Sequence, residues 1–319
     1  MFRQTFSSPR LLKAGLLATT LSLGLLNLGA VANEQPGKPL AATLTAPTAA
    51  DKVALKLPST EAVMFRGVYS LDQVGLPMAN MLYPGGNLVG FLASVVTHGL
   101  IVEGEKLRQR NKAEQEADRV LEALMPAIRA INMTSLFDGA VGESTLKDRA
   151  HLLRPDQENP SRSMIEPAPV IWISQDRLSL IADVAMSVQV DAQQAMWQGR
   201  VRVVSPRLEV ADAVEHWNAD EGQQLKQVCA QLVGKAIDVG FAYAQADSNK
   251  IAALPFQSVA YTVGGKKKVE RAQVLHQDCN YRLLKTLRGD LFAVPNSRLH
   301  LDDEDENPAC PTASSTAPS

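Results

Sequence analysis

"RLSLIADVAMSVQV", Arg177 to Val190, alternates Leu178, Leu180, Ala182, Val184, Met186 and Val188 with a mostly smaller or polar set. Successive side chains of a strand point to opposite faces, so a period of two predicts a strand covered on one side. "VIWIS" (Val170 to Ser174) precedes it and "MWQGRVRVVS" (Met196 to Ser205) follows after "DAQQA". Three short apolar runs joined by polar connections are expected to pair as an antiparallel meander.

Downstream, "WNADEGQQLKQVCAQLVGKAIDVGFAYAQADSN" (Trp217 to Asn249) changes the period. Leu225, Val228, Cys229, Leu232, Val233, Ala236, Ile237, Phe241 and Ala244 recur at three- and four-residue steps, predicting an amphipathic helix over Gln223 to Ala246. Asn218 and Glu221 are placed to cap its start. Cys229 falls on the packed face, so it reaches a strand only if the helix lies on the sheet. "FQSVAYTVGGKKKVERAQVLH" (Phe256 to His276) has Gly264 and Gly265 between two strand-like runs, the pattern of a hairpin with Lys266 to Lys268 at its exposed end. "CNYRLLKTLRGDLFAVP" (Cys279 to Pro295) supplies one or two further strands, and its "RGD" (Arg288 to Asp290) is too short a match to carry a receptor reading. The fold class is therefore α+β: an antiparallel sheet packed with an amphipathic helix, plus an N-terminal helical region.

That N-terminal region centres on "YPGGNLVGFLASVVTHGLIVEGEKLRQRNK", Tyr83 to Lys112. No formal charge occurs between Asp72 and Glu103, and Gly86, Gly90, Ser94 and His98 repeat every fourth residue, on one helical face that allows close backbone approach. The strongly apolar part, Leu88 to Val102, is shorter than the roughly twenty residues of a membrane span. A helix buried against its neighbours or a partner is the expected reading, and a single membrane span is the alternative. A long helix from about Glu103 to Ile131 follows, which Pro126 should kink or divide. Its basic residues are diluted by Glu103, Glu105, Glu114, Glu116 and Asp118, so a solvated face is expected.

The two ends differ from the middle. Arg3, Arg10 and Lys13, an apolar core from Leu16 to Leu28, and "AVA" ending at Ala32 form the tripartite pattern of a secretory signal peptide. Asn33 is the expected mature start. The organisation read from these shifts is signal peptide 1–32, disordered leader 33–57, glycine-containing and amphipathic helical region 58–150, proline-rich loop 151–169, α+β domain 170–299, and disordered acidic and Pro/Ser/Thr tail 300–319. In an oxidising compartment Cys229 and Cys279 are the disulfide candidates, with Cys310 left in the tail.

A net charge of −2 and 5% aromatic residues offer neither the basic field nor the stacking surfaces of a nucleic-acid binder. His98, His151, His216, His276 and His300 lack metal-ligand spacing, and "HQDC" (His276, Cys279) has no second ligand pair. Asp176, Asp183, Glu209 and Asp212 near strand ends are the carboxylates that an acid and base pair would draw on, but a nucleophile elbow is absent. "PGGN" and "VGGK" read as glycine turns and not phosphate cradles. No catalytic residue, cofactor or metal is assigned.

The order of exported leader, glycine-containing apolar segment, charged helix ("PGGNLVGFLASVVTHGLIVEGEKLRQRNKAEQEADRVLEAL"), strands and final amphipathic helix resembles uncharacterised exported proteins of Gram-negative bacteria. Val170 to Ala246 is similar, in element order, to small α/β modules of envelope-assembly and transport-accessory proteins. The resemblance implies location in the periplasm or cell envelope and no activity; the residues themselves, without a catalytic signature, read as a non-enzymatic structural or accessory protein. It would act through self-association, an envelope protein or membrane contact, with Gly86, Gly90, Ser94 and His98 as the association face. A periplasmic small-molecule-binding protein or hydrolase, with Asp176 or Asp183 gathered beside His216 in a deep pocket, is the alternative from another class.

Overall fold

The computed structural model describes residues 52–68, 104–157, 161–191 and 195–296, of which 104–110 are described by backbone alone. Ten strands form one mixed sheet with helices on one face. The strands are β1 (Val53–Lys56), β2 (Met64–Gly67), β3 (Ala150–Leu153), β4 (Ser163–Ile173), β5 (Leu180–Gln189), β6 (Trp197–Val204), β7 (Gln257–Val263), β8 (Lys266–Gln277), β9 (Tyr281–Thr286) and β10 (Leu291–Pro295). Their order is β3-β1-β4-β5-β6-β10-β9-β8-β7, with β2 also on β4.

The meander β4-β5-β6 and the run β7-β8-β9-β10 are antiparallel as expected. The sheet as a whole is not: β1 pairs parallel with β3 and β4, β2 parallel with β4, and β10 parallel with β6. An alternating pattern says which side chains share a face but nothing of a neighbour's direction. The parallel pair β6-β10 closes only after the chain has passed through the helices and three further strands.

Expected boundaries move accordingly. Val53 to Lys56, at the end of the span read as a disordered leader, is a strand whose Val53 and Leu55 are fully buried. The span read as a proline-rich loop, 151–169, contains most of β3 and the first half of β4. Proline lacks a ladder donor and is confined to sheet edges. Pro167 and Pro169 satisfy that rule because β1 pairs with β4 up to Ile165 and β2 from Val170, so both lie in an unpaired gap on that side of β4.

The helices are α1 (Gly104–Asp118), α2 (Met125–Arg129), α3 (Met133–Glu143), α4 (Ala213–Asn218), α5 (Gln223–Gln245) and α6 (Ser248–Ala252). The single long helix expected to Ile131 is divided: α1 passes through a 3-10 turn, Arg119–Leu124, into α2, whose first turn holds Pro126. There its missing N–H costs nothing. α5 covers the face of the sheet that carries Leu180, Ala182, Val184 and Met186, and α3 packs on α5 in turn. The α3–α5 approach is close: a Cβ on Gly234 would stand 2.6 Å from the Ala140 carbonyl oxygen, and one on Gly139 would stand 2.9 Å from Ala230 Cβ.

Two local expectations fail for tertiary reasons. Asn218 does not cap α5. Its Nδ2 donates to the Ala123 carbonyl at 2.9 Å, while Asp220, Glu221 and Gly222 take positive φ in a kink between α4 and α5. Asp212 caps α4 instead, accepting from Val214 N and Glu215 N. Cys229 is a free, fully buried thiol, so the pairing with Cys279 is not formed. The β8–β9 turn that carries Cys279 meets α5 at Lys235, through the Lys235–Asp278 contact at 3.9 Å. That is about 9 Å further along the helix axis at 1.5 Å per residue.

The second face of the sheet is closed by the sheet itself. β7 and β6 are separated by β10, β9 and β8, yet Val259 and Tyr261 of β7 share one buried cluster with Ile181 and Val204. The sheet therefore curls until the β7–β8 hairpin reaches back to the β4–β5 turn, where a Cβ on Gly264 would lie 3.2 Å from Ser174 Cβ. Gly264 and Gly265, at φ +55 and +73, form the two-residue turn that right-handed strand twist favours.

Candidate functional site

β2 and α1 flank residues 69–103, and side chains of the two elements meet beside that stretch. β2 buries Phe65 and Gly67 and turns Arg66 toward α1. Arg66 Nη2 lies 2.9 Å from Glu114 Oε2 and its Nε lies 3.1 Å from Asp118 Oδ2. Glu114 and Asp118 are four residues apart and so share a helix face. Burial alone would lower the Arg66 pKa, but the Asp118 and Glu114 carboxylates outweigh it and hold the guanidinium above its ordinary value.

The same carboxylate also fastens the backbone, since Gly67 N donates to Asp118 Oδ1 at 2.8 Å. Gln175, in the β4–β5 turn, completes the junction. Its Nε2 donates to the Val68 carbonyl at 2.7 Å and to the Ala117 carbonyl at 3.2 Å, joining the strand side to the helix side. Arg177, held at φ 58, donates from Nε to the Val120 carbonyl at 3.1 Å, and its own carbonyl accepts from Trp217 Nε1 at 2.7 Å. One turn thus ties β2, α1, the 3-10 turn and α4 together.

A second polar group lies inside the curl of the sheet. Asp183 and Arg202 are direct cross-strand partners and are hydrogen-bonded through both guanidinium Nε and Nη2. Arg200 approaches Asp183 at 3.9 Å and pairs with Asp290, the last residue of "RGD". Burial would raise the Asp183 pKa, yet the Arg202 and Arg200 charges keep it below the ordinary carboxylate value. Two carboxylates and two guanidiniums balance, and Arg202 also stacks 5.1 Å from the Phe292 ring centroid. A carboxylate held ionised between two arginines is a poor proton acceptor.

The remaining sequence candidates are dispersed. Asp176 bonds Ser174 and Arg207, Asp212 caps α4, Glu209 is exposed in the segment after β6, and His216 lies edge-on to its neighbour Trp217. The deep pocket expected to gather Asp176 or Asp183 with His216 is not formed by these contacts. Gly86, Gly90, Ser94 and His98 lie outside the described residues. Among the described residues no helix is long and apolar enough to cross a membrane, and no group of His, Cys, Asp and Glu has the makings of a metal site. Reading the sequence missed the junction, although Glu114 and Asp118 at i and i+4 were its one visible trace. No protein-family model, curated protein or solved structure matches the chain.

Proposed function

We propose that this is an exported, envelope-associated structural or accessory protein that works by association and not by catalysis. Its contact face is the glycine-faced stretch, with Gly86, Gly90, Ser94 and His98 meeting a second copy, an envelope protein or the membrane. The observation that supports this reading is the pair of hydrogen bonds that Gln175 Nε2 donates to the Val68 and Ala117 carbonyls. The stretch between Asp72 and Glu103, which carries no formal charge, is joined at both ends to elements that are fastened to each other, so a load on that stretch passes into the sheet through β2. The signal-peptide pattern and the resemblance to exported proteins supply the location, the periplasm or cell envelope.

The test is fractionation of cells expressing the full-length chain, with a carbonate wash of the pellet and sizing of the soluble fraction. Wild type is expected in the washed pellet or in a complex larger than the monomer, and Gly90→Leu is expected to release it as monomer, because a bulky side chain prevents close approach. Unchanged partition or assembly in Gly90→Leu would sink the reading. An N-terminus at Asn33 in the recovered protein is the matching result for export.

A further inference from the structure

We infer that Cys279 and Cys310 form a disulfide that latches the acidic C-terminal tail to the β8–β9 turn, closed when oxidised and open when reduced. The chain holds three cysteines, Cys229, Cys279 and Cys310. Cys229 is a free thiol, fully buried in the core, whereas Cys279 is exposed and disulfide-bonded. Within one chain that leaves Cys310 as its partner.

The fold returns the chain to this turn just before the tail begins. Asp278 Oδ1 accepts from Asn280 N and Tyr281 N, and Asp278 N donates to the Tyr281 carbonyl, so the turn presenting Cys279 is held from both sides. Asn296, directly after β10, donates from N to the Asn280 carbonyl at 2.9 Å and from Nδ2 to the Asp278 carbonyl. It thus bonds the residues on both sides of Cys279. Residues 297–309 separate this anchor from Cys310. The entropy of closure rises with loop length, and the anchor shortens the loop to that segment alone instead of everything between the two cysteines. The acidic run, Asp302 to Glu306, lies inside the closed loop, which even fully stretched keeps it within about 25 Å of the turn.

The bond forms by thiol–disulfide exchange, with a small-molecule or protein disulfide as oxidant. One cysteine thiolate attacks the oxidant's disulfide and expels a thiolate. The other attacks the mixed disulfide, expels the second thiolate and closes the Cys279–Cys310 bond. The two cysteines lose two electrons, the oxidant gains them, and the cysteines' two protons pass to the expelled thiolates. Exposure of Cys279 gives an oxidant or reductant access, while burial keeps Cys229 out of the exchange. The latch stands apart from the association reading, because Gly90→Leu leaves both cysteines in place.

The experiment supplies its own oxidant, so its outcome does not depend on export. The full chain is reduced, freed of reductant and incubated in its native state with oxidised glutathione. Acid quenching, alkylation of free thiols and digestion without reduction then give a peptide map by mass spectrometry. A peptide of Cys279 joined to one of Cys310 is expected, with Cys229 unjoined, and the joined pair should vanish in dithiothreitol. In Cys310→Ser, Cys279 is expected to carry glutathione instead, and an unchanged circular dichroism spectrum verifies the fold. Cys279 joined to Cys229, joined to a second copy, carrying glutathione in the wild-type chain or left as a free thiol would each overturn the latch.

Discussion

Gly67 of β2 and the Ala117 carbonyl of α1 are so close that a Cβ on Gly67 would lie 1.9 Å from the carbonyl oxygen. Backbone stands on both sides of this contact, so neither partner has a rotamer with which to yield. Gly67→Ala is expected to destabilise the protein by about 3 kcal/mol, at the upper end of overpacking costs. Urea unfolding of the variant checks this, and a midpoint within error of wild type would contradict it.

Asp183 and Arg202 make a pair whose two halves depend on each other. Asp183→Asn leaves the Arg202 guanidinium without its counter-charge and is expected to cost about 2 kcal/mol, discounted because a third of the Arg202 side chain remains exposed. Replacing both at once, Asp183→Leu with Arg202→Met, should cost less than Asp183→Asn alone. Because the folded pKa of Asp183 lies below its ordinary value of 3.8, its contribution is present above that value and is lost as pH falls through the lower folded one. A double-mutant comparison of unfolding free energies at neutral pH decides the point.

Asp238 has the opposite sign. Burial raises its pKa above 3.8, despite hydrogen bonds from Ser144 and from Thr145 N and Oγ1 that favour the charged form. A raised carboxylate binds its proton more tightly when folded, so stability falls as pH rises from 3.8 through the folded value. Asp238→Asn removes that slope, and its melting temperature is expected to gain on wild type across this interval. Parallel melting curves from acid to neutral pH would refute the assignment.

Cys229 is fully buried, and burial pushes its thiol pKa upward. Thiolate is the reactive form, so alkylation in the native protein should leave the Cys229 peptide unlabelled, while denaturant should expose it to rapid labelling. Peptide mass mapping reads both states. Native labelling at the rate of a free peptide thiol would place Cys229 elsewhere than in the core.

Gly234 repeats the logic of Gly67 between two helices. A Cβ there meets the Ala140 carbonyl oxygen at 2.6 Å, so Gly234→Ala should force α3 off α5 and cost about 1–3 kcal/mol. The loss appears as a lower thermal midpoint, and an unchanged midpoint would show that α3 moves freely.

The amino-acid order by itself determined what repeats over short distances. The two faces of β5, the packed face of α5, the meander β4-β5-β6 and the Gly264–Gly265 hairpin all follow from backbone periods of 2 and 3.6 and from two positive-φ positions. Tertiary structure alone decided the direction of β1, β2 and β10, the curl that brings Tyr261 over Ile181, and the fate of Cys229. It also decided the junction beside residues 69–103. Glu114 and Asp118 advertise a shared face, but their partner Arg66 is 48 residues from the nearer of them. Local periods are imposed by covalent geometry and are the same in any context. Partners distant in sequence are selected by which closed arrangement buries the most apolar surface while pairing every polar group, a property of the whole chain and of no segment within it.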